Sequence, residues 1–408
     1  MKRTRYGVAP WLATPRAKTA RIYPALAATL EVPGAISGGG LAGAATAYAC
    51  AASGLRVVLL EADRIGHGGS GRGPGLVLQT PPVDFLELEA LHGRRVAKAI
   101  WTSWRRATLD LAASVRRLNI NAGFTASDAL TWAPTPESAK PLERELAARR
   151  AAGLEGTWLT GRALSGLGLK GAGGIRTRGN ASVDPARLCQ GFARAAAARG
   201  AAVFERTEAT SVSRTNGRIQ IVSPRGVVRC ETVIVATGEP ADPFEPLARH
   251  VAACDGFVVQ TPSLPAAQRA ALRDHGLILQ DRHSPPHCLA WTPDHRILWT
   301  GADQPRTLAR LRHPTLVQRT GQLMYELSLV LPDISGVQPE HGWDAPYSAG
   351  RDGLPLIGPH RNYPNHLFAF GLGLNPAAAF LASRLLVRHL SGTVENTDEA
   401  FGFGRLPR

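Results

Sequence analysis

Three glycines in the spacing Gly38-x-Gly40-x-x-Gly43 open a run of small residues, and the apolar segment Leu55-Arg56-Val57-Val58-Leu59-Leu60 follows and ends in Glu61. In a chain with 43 glycines that spacing alone would recur by chance, so the reading rests on the order strand, turn, helix, strand, acid. Glycines let the backbone turn tightly and approach a pyrophosphate, a helix N-terminus offers unpaired N–H groups, and a carboxylate about 20 residues on accepts ribose hydroxyls. The expected ligand is an adenine dinucleotide. Ala44, Ala45, Ala49 and Ala52 are small enough for a helix packed closely on a sheet, and Gly54 suits a left-handed helix end. The strand before the glycines is the weak element. It reads Pro33-Gly34-Ala35-Ile36-Ser37, where Pro cannot donate to a ladder and Gly weakens one, so a short or irregular first strand is expected.

A chain of 408 residues has room for two domains and a large core. No apolar run approaches the ~20 residues that span a bilayer, and the most apolar helix candidate, Pro376 to Leu390, is interrupted by Arg384 and Arg388. The basic N-terminus (Lys2, Arg3, Arg5, Arg16, Lys18, Arg21) has no uninterrupted apolar core, so no secretory signal is expected, and the expected location is cytoplasmic, with peripheral membrane contact allowed by the charge. Cys50, Cys189, Cys230, Cys254 and Cys288 stand singly, which suits a reducing compartment and argues against a disulfide or zinc framework. The formal charge is +15, yet 42 of the 47 basic residues are arginines scattered without a dense run or interleaved aromatics. That pattern reads as a solvated basic surface, and no specific nucleic-acid partner is expected.

Residues 1–33 read as an arm docked by Tyr6, Trp11 and Tyr23 among prolines. Helical periodicity runs from Val83 to Leu118 and from Glu137 to Ala152. Asp184-Pro185 caps a helix that reaches Gly200, and strands follow at Ala201 to Glu205, Ile219 to Ser223, Gly226 to Cys230 and Thr232 to Thr237, the last entering Gly238. Between Gly256 and Ala302 the texture changes to short strands joined by turns such as Pro293-Asp294-His295. His283 and His287 have the spacing of a metal pair, but Pro285 and Pro286 forbid the helix that would bring the rings together, so a polar loop and no metal is the expectation.

Taken together these segments resemble the glycine oxidase, sarcosine oxidase and γ-glutamylputrescine oxidase branch of the D-amino-acid-oxidase-type (DAO) FAD enzymes. The resemblance rests on Gly38 to Gly43 with Glu61, on Ser70-Gly71-Arg72-Gly73-Pro74-Gly75, which is similar to the family's loop beside the flavin, and on Val235-Ala236-Thr237-Gly238, Asp352-Gly353-Leu354-Pro355-Leu356-Ile357-Gly358-Pro359 and Gly371-Leu372-Gly373-Leu374-Asn375. It implies an α/β fold: a Rossmann-like, glutathione-reductase-like FAD-binding domain (34–82, 153–248 and 336–408) with an inserted α+β substrate domain (83–152 and 249–335) containing a mainly antiparallel sheet. It implies FAD contacts at Gly38, Gly40, Leu41, Ala42, Gly43, Glu61, Ala62, Ser70, Gly71, Arg72, Gly73, Ala209, Thr237, Gly238, Gly371, Gly373, Leu374 and Asn375. Independently of the family, Asn375 is a good N-cap, Pro376 a good first helical residue and Gly392 a good terminator, and the resemblance implies that the positive pole of this helix points at the flavin, where a reduced flavin gathers negative charge.

Departures from the family pattern refine the expected reaction. Members that hold FAD covalently use a Cys at the place of Ala345, so the resemblance implies a non-covalent flavin here. Enzymes of the glycine oxidase type hold the substrate carboxylate with an Arg at the place of Tyr347, and a tyrosine offers one neutral donor where Arg offers a bidentate cation. An amine or substituted amine is therefore favoured over a simple α-amino acid. A sarcosine oxidase Lys that helps oxygen react aligns with Trp299, which leaves the electron acceptor open between oxygen and a respiratory chain. The expected activity is hydride transfer from the carbon beside an amine nitrogen to flavin, with Tyr347, Asn375 and Trp299 as candidate catalytic or substrate-side residues. Two alternatives stand beside it: a subunit that keeps the fold without turnover, and an enzyme acting on an amine in transfer RNA.

Overall fold

The computed structural model describes residues 3–13, 22–215, 217–270, 273–283 and 285–405. Eighteen strands among these residues, numbered along the chain, divide between two sheets. The first sheet contains β2 (Thr29–Ser37), β3 (Val57–Leu60), β8 (Ala202–Phe204), β9 (Ser211–Thr215), β10 (Arg218–Ser223), β11 (Gly226–Gly238), β17 (Leu356–His360) and β18 (Tyr363–Phe370). The second contains β1 (Arg5–Tyr6), β4 (Leu76–Val77), β5 (Thr125–Ala133), β6 (Thr157–Thr160), β7 (Gly173–Ser182), β12 (Val251–Gln260), β13 (Leu277–Gln280), β14 (Cys288–Trp291), β15 (Ile297–Pro305) and β16 (His341–Gly350).

The first sheet has the order β17-β18-β11-β2-β3-β8, in which β18, β11, β2, β3 and β8 are mutually parallel. Parallel strands end at one edge, and in such sheets ligands bind there. Against expectation, β2 is regular and nine residues long, pairing with β11 from Thr29↔Val227 to Ser37↔Val235. Pro33 is tolerated because β3 joins only at Gly34↔Val57, so the missing N–H falls where β2 has one neighbour. The helices Leu41–Ala52, Pro185–Ala197 and Pro376–Ser391 bury their apolar faces in one cluster with Phe85–Arg117, which is interrupted at Gly93. Caps fall where the sequence put them: the Asp184 side chain accepts from the Arg187 N–H, Asn375 from Ala377, and Gly392 closes its helix at φ 67°.

The second sheet is mainly antiparallel, in the order β1-β16-β12-β15-β14-β13-β5-β7-β4, with β6 on β7. Alternation along each strand divides its residues between two faces. Phe257, Val259, Ile297 and Trp299 pack with Leu316, Leu323 and Leu327 of the helix Arg312–Val330. Val258, Leu298, Trp343 and Ala345 point the other way and meet Trp11, Leu78 and Leu374.

Sheet membership moves the expected domain limits. Strands β4, β6, β7 and β16, expected in the dinucleotide domain, belong to the second sheet, and Thr29 to Val32, expected in the arm, belong to the first. An apolar run identifies a strand but not its neighbour. The arm is docked as expected: β1 pairs in parallel with β16 (Arg5↔His341, Tyr6↔Gly342), and Tyr23 lies in the helical core. Its residues Lys2, Pro15, Arg16, Lys18 and Arg21 lie outside the described residues. No helix among the described residues is long and apolar enough to cross a membrane.

Candidate functional site

Glycine is required at the end of β2 by contact distances. Gly38 sits at φ 108°, and a Cβ there would lie 2.5 Å from the Ala236 carbonyl oxygen; one on Gly43 would lie 1.9 Å from the Gly38 oxygen. The helix Leu41–Ala52 begins at Gly40 with no side-chain cap of its own, and the Leu41 N–H donates instead to Ser70 Oγ at 3.0 Å. Glu61, ending β3, accepts from the Gly39 N–H (2.6 Å) and the Asp63 N–H (2.9 Å). Burial raises its pKa, and those two N–H bonds oppose the rise. Ala62 follows directly, and the Thr207 N–H donates to the Glu61 carbonyl, which sets Ala209 two residues from the same strand end.

The next two strand ends are tied together by a residue the sequence reading missed. Ser348 of β16 donates its hydroxyl to the Gly238 carbonyl (2.6 Å) and accepts from the Gly371 N–H (3.0 Å), and its own carbonyl accepts from the Gly373 N–H (2.9 Å). Thr237 and Gly238 therefore border Gly371 to Gly373. In sheet order Gly371, Gly238, Gly38 and Glu61 form one row. The glycine turn, the helix N-terminus with no cap beyond Ser70, and the carboxylate fit the pyrophosphate and ribose of a dinucleotide.

The segment Ser70 to Gly73 joins this row to the second sheet. A Cβ on Gly71 would fall 1.6 Å from the Gly66 oxygen, while one on Gly73 would meet Leu374 at 3.6 Å. Arg72, expected beside the flavin, is anchored: its Nε donates to the Asp344 carbonyl at 2.9 Å and its terminal nitrogen to the Asp344 carboxylate, whose other oxygen takes Arg312. Burial lowers the Arg72 pKa and Asp344 opposes the shift. Trp343 donates its indole N–H to the Arg72 carbonyl (2.8 Å) and Trp11 donates to that of Gly71 (2.5 Å), the two rings meeting edge to face.

Asn375, expected to touch substrate, clamps two segments together. Its Oδ1 accepts from Ala377 and Leu78 N–H, and its Nδ2 donates to the Leu78 carbonyl at 2.9 Å. Capping the helix and holding Leu78 uses its carbonyl and one of its N–H bonds.

Tyr347 lies on the face of the second sheet that carries Trp343 and Ala345, with Cys254 opposite it on β12. Its hydroxyl donates to Asp303 Oδ2 at 2.6 Å. Asp303 was not foreseen. It reaches this face because the β12–β15 ladder slips between Asp255 and Phe257, with Gly301 and Ala302 both at positive φ. Such a bulge re-aims the side chains that follow it. Burial raises the pKa of Asp303, with the Tyr347 hydroxyl and then the His287 charge opposing, and burial followed by the Asp303 charge raises that of Tyr347. Gly256 permits a close approach of Leu374 and Asp303, since a Cβ there would lie 3.2 Å from the first and 3.3 Å from the second.

Trp299, expected to wall the substrate, lies on the opposite face. It is 2% exposed, packs toward the helix Arg312–Val330 and stacks on His287 with planes 6° apart. Its parity along β15 precedes the bulge, which is why it cannot share a face with Tyr347. The expectation that Pro285 and Pro286 keep the histidines apart also fails. The rings of His283 and His287 come within 4.7 Å because Asp281 accepts from both Nδ1 atoms and both backbone N–H groups, gathering them without a helix.

A parallel sheet with a glycine turn at its C-terminal edge, covered by a second sheet that brings its own side chains to that edge, defines a two-domain dinucleotide-dependent enzyme. The FAD dependent oxidoreductase (DAO) family model matches residues 35–388, and the chain belongs to that family. It is 25% identical over 348 residues to a probable oxidoreductase OrdL of Rhizobium meliloti, covering 79% of this chain and 74% of that protein. It is 24% identical over 377 residues to the γ-glutamylputrescine oxidoreductase of Escherichia coli, covering 91% and 86%. The crystal structure of glycine oxidase from Geobacillus kaustophilus superposes with a TM-score of 0.77 at 21% identity, over 93% of this chain and all of that one. The expected fold class and family therefore hold.

Proposed function

We propose that the chain oxidises the C–N bond of an amine, using FAD held without a covalent bond. The observation that carries the reading is the Tyr347–Asp303 pair, set on the sheet face that meets Leu374 beside the start of the helix Pro376–Ser391. Bound isoalloxazine would supply the two-electron acceptor for a hydride leaving the carbon next to nitrogen. The glycine turn and Glu61 would hold the dinucleotide, and Ser348 and Arg72 would fix the second sheet against it. The helix Pro376–Ser391 directs its positive N-terminal pole to the same edge, where it favours developing negative charge. Ala345 is fully buried where covalent relatives of the family carry their Cys, which supports non-covalent binding. The imine product would hydrolyse in water, and electrons would pass to oxygen or a respiratory chain.

The regular, doubly paired β2 removes one motive for the reading as a subunit without turnover. The test is to purify the protein with FAD and mix it, without oxygen, with a panel of amines and amino acids. Bleaching of the flavin band by an amine is expected; no bleaching by any compound would overturn the proposal.

A further inference from the structure

We propose that Asp303 receives the substrate nitrogen as an ammonium, so that the site selects a cationic amine with no carboxylate on the reacting carbon. This rests on the reaction proposed above and names the substrate class that the same site would take.

Several other sheltered aspartates of this chain sit against arginines. Asp255 holds Arg306, Asp344 holds Arg72 and Arg312, Asp352 holds Arg405, and Asp398 holds Arg388. Buried acids without such a cation take backbone N–H donors instead, as Glu205 does from Tyr23 and Ile65 and Glu61 from Gly39 and Asp63. Among the described residues Asp303 has neither a cation at ion-pair distance nor a backbone N–H donor, and the His287 charge acts on it only from beyond that distance. Its single protein hydrogen bond is the neutral Tyr347 hydroxyl on Oδ2, and nothing donates to Oδ1. A sheltered carboxylate with one neutral donor is costly to keep ionised, and the cost is relieved when a cation arrives. The bulge at Gly301 and Ala302 directs this acid to the face that meets Leu374, and the missing side chain at Gly256 lets Asp303 and Leu374 approach each other closely.

The surrounding arginines sharpen the selection, because none is free to hold a substrate carboxylate there. Arg306 is drawn to Glu239, Asp255 and the carbonyls of Cys254 and Tyr347, and Arg72 and Arg312 share Asp344. An α-amino acid would bring a carboxylate next to its ammonium with no cation to receive it and with Asp303 close by. A bare amine brings only the charge that Asp303 lacks. Rejection by an unpaired like charge is as effective a source of specificity as attraction.

The experiment uses the FAD-loaded protein and matched pairs differing only by a carboxylate on the reacting carbon, beginning with n-butylamine and norvaline. Anaerobic flavin reduction is followed for the wild type, Asp303→Asn and Tyr347→Phe, together with each variant's visible flavin spectrum and melting temperature. The expected wild-type kcat/KM for the amine exceeds that for its amino acid by on the order of 100-fold. In Asp303→Asn the amine KM should rise on the order of 10- to 100-fold with a much smaller change in kcat and an unaltered flavin spectrum, as for loss of a charge-assisted hydrogen bond. An unchanged amine KM in that variant, or an amino acid that reduces the wild type as well as its amine, would overturn the inference. Reduction by amino acids but not amines would overturn it while leaving the flavin reaction standing, whereas no reduction by anything would sink both. Should Asp303→Asn lose its flavin, the wild-type ratio decides, and a ratio below one refutes the assignment.

Discussion

Replacing Gly43 by alanine sets two known effects against each other. Within a helix, Ala is favoured over Gly by about 1 kcal/mol, because Gly surrenders more backbone freedom on folding. At Gly43 the added methyl would sit 1.9 Å from the Gly38 carbonyl oxygen and 3.3 Å from Ile36, and the nearer atom is backbone at a turn. Restoring ordinary contact would push the helix Leu41–Ala52 off β2 by about 1.5 Å, which breaks its packing against the turn. Forcing a methyl into a packed site costs roughly 1–3 kcal/mol, so the net effect should be a loss of up to about 2 kcal/mol. Because the displaced atoms belong to the turn proposed to hold the pyrophosphate, FAD affinity should also fall by on the order of tenfold or more. Gly321, in the helix Arg312–Val330, is the control: a Cβ there meets nothing within 4 Å, so Gly321→Ala should stabilise by about 0.5–1 kcal/mol. Urea unfolding of the apoprotein gives the stabilities, and quenching of flavin fluorescence on titration gives the affinity. If Gly43→Ala behaved like Gly321→Ala and bound FAD as the wild type does, the close approach of helix to turn would be refuted.

Asp344, 2% exposed, neutralises Arg72 and Arg312, so Asp344→Asn should cost about 3 kcal/mol by leaving the sheltered Arg72 uncompensated; a loss below 1 kcal/mol on chemical unfolding would contradict the pairing. Trp11→Ala removes an edge-to-face contact with Trp343 and a hydrogen bond to Gly71, and should lower stability by about 2 kcal/mol, visible as a drop in melting temperature; an unchanged melting temperature would mean the arm is not docked. His287 is held down by burial but raised more strongly by Asp281, Glu326 and Asp303, so its net pKa lies above the ordinary value of about 6.5. Its charge therefore stabilises the fold fully below about 6.5, and that contribution fades as pH rises through the elevated value, while Asp281, whose pKa is depressed, stays ionised across this range. The stability gap between wild type and His287→Gln should accordingly be wider at pH 5.5 than at pH 8.5, and equal gaps in urea melts would show that the pair carries no charge.

What could be read from the sequence was what lies close together in it. The glycine turn, its helix, β3 and Glu61 span a short stretch, and each step has a local cause: positive φ, small side chains, a run buried on both faces. The caps at Asp184 and Asn375 are local in the same sense, and both form as expected. Strand neighbours are not local. Nothing in Gly173 to Ser182 states that it pairs with β5 and β6 in the second sheet, and nothing in Thr29 to Val32 shows that β11 extends to meet them. Ser348 was missed for the same reason, since its three partnerships join segments more than a hundred residues apart as well as near ones.

Which side chain meets Tyr347 turned on a single residue of register. Counting alternately from Trp299 places Gly301 and Asp303 on the same face as the indole, against the helix Arg312–Val330 and among Leu316 and Leu323. A carboxylate there would be buried among leucines, a placement costing several kcal/mol unless a cation came with it. One inserted residue at Gly301 and Ala302 reverses the parity: Trp299 stays in the apolar core, where an indole belongs, and Asp303 turns to Tyr347. A glycine within a strand pattern is a recognised sign of a bulge, and Gly301 was therefore the available clue. The same irregularity explains why the aligned position, Trp299, and the position that faces the cofactor edge, Asp303, are different residues: alignment follows the order of residues along the strand, whereas chemistry follows the face to which each is turned.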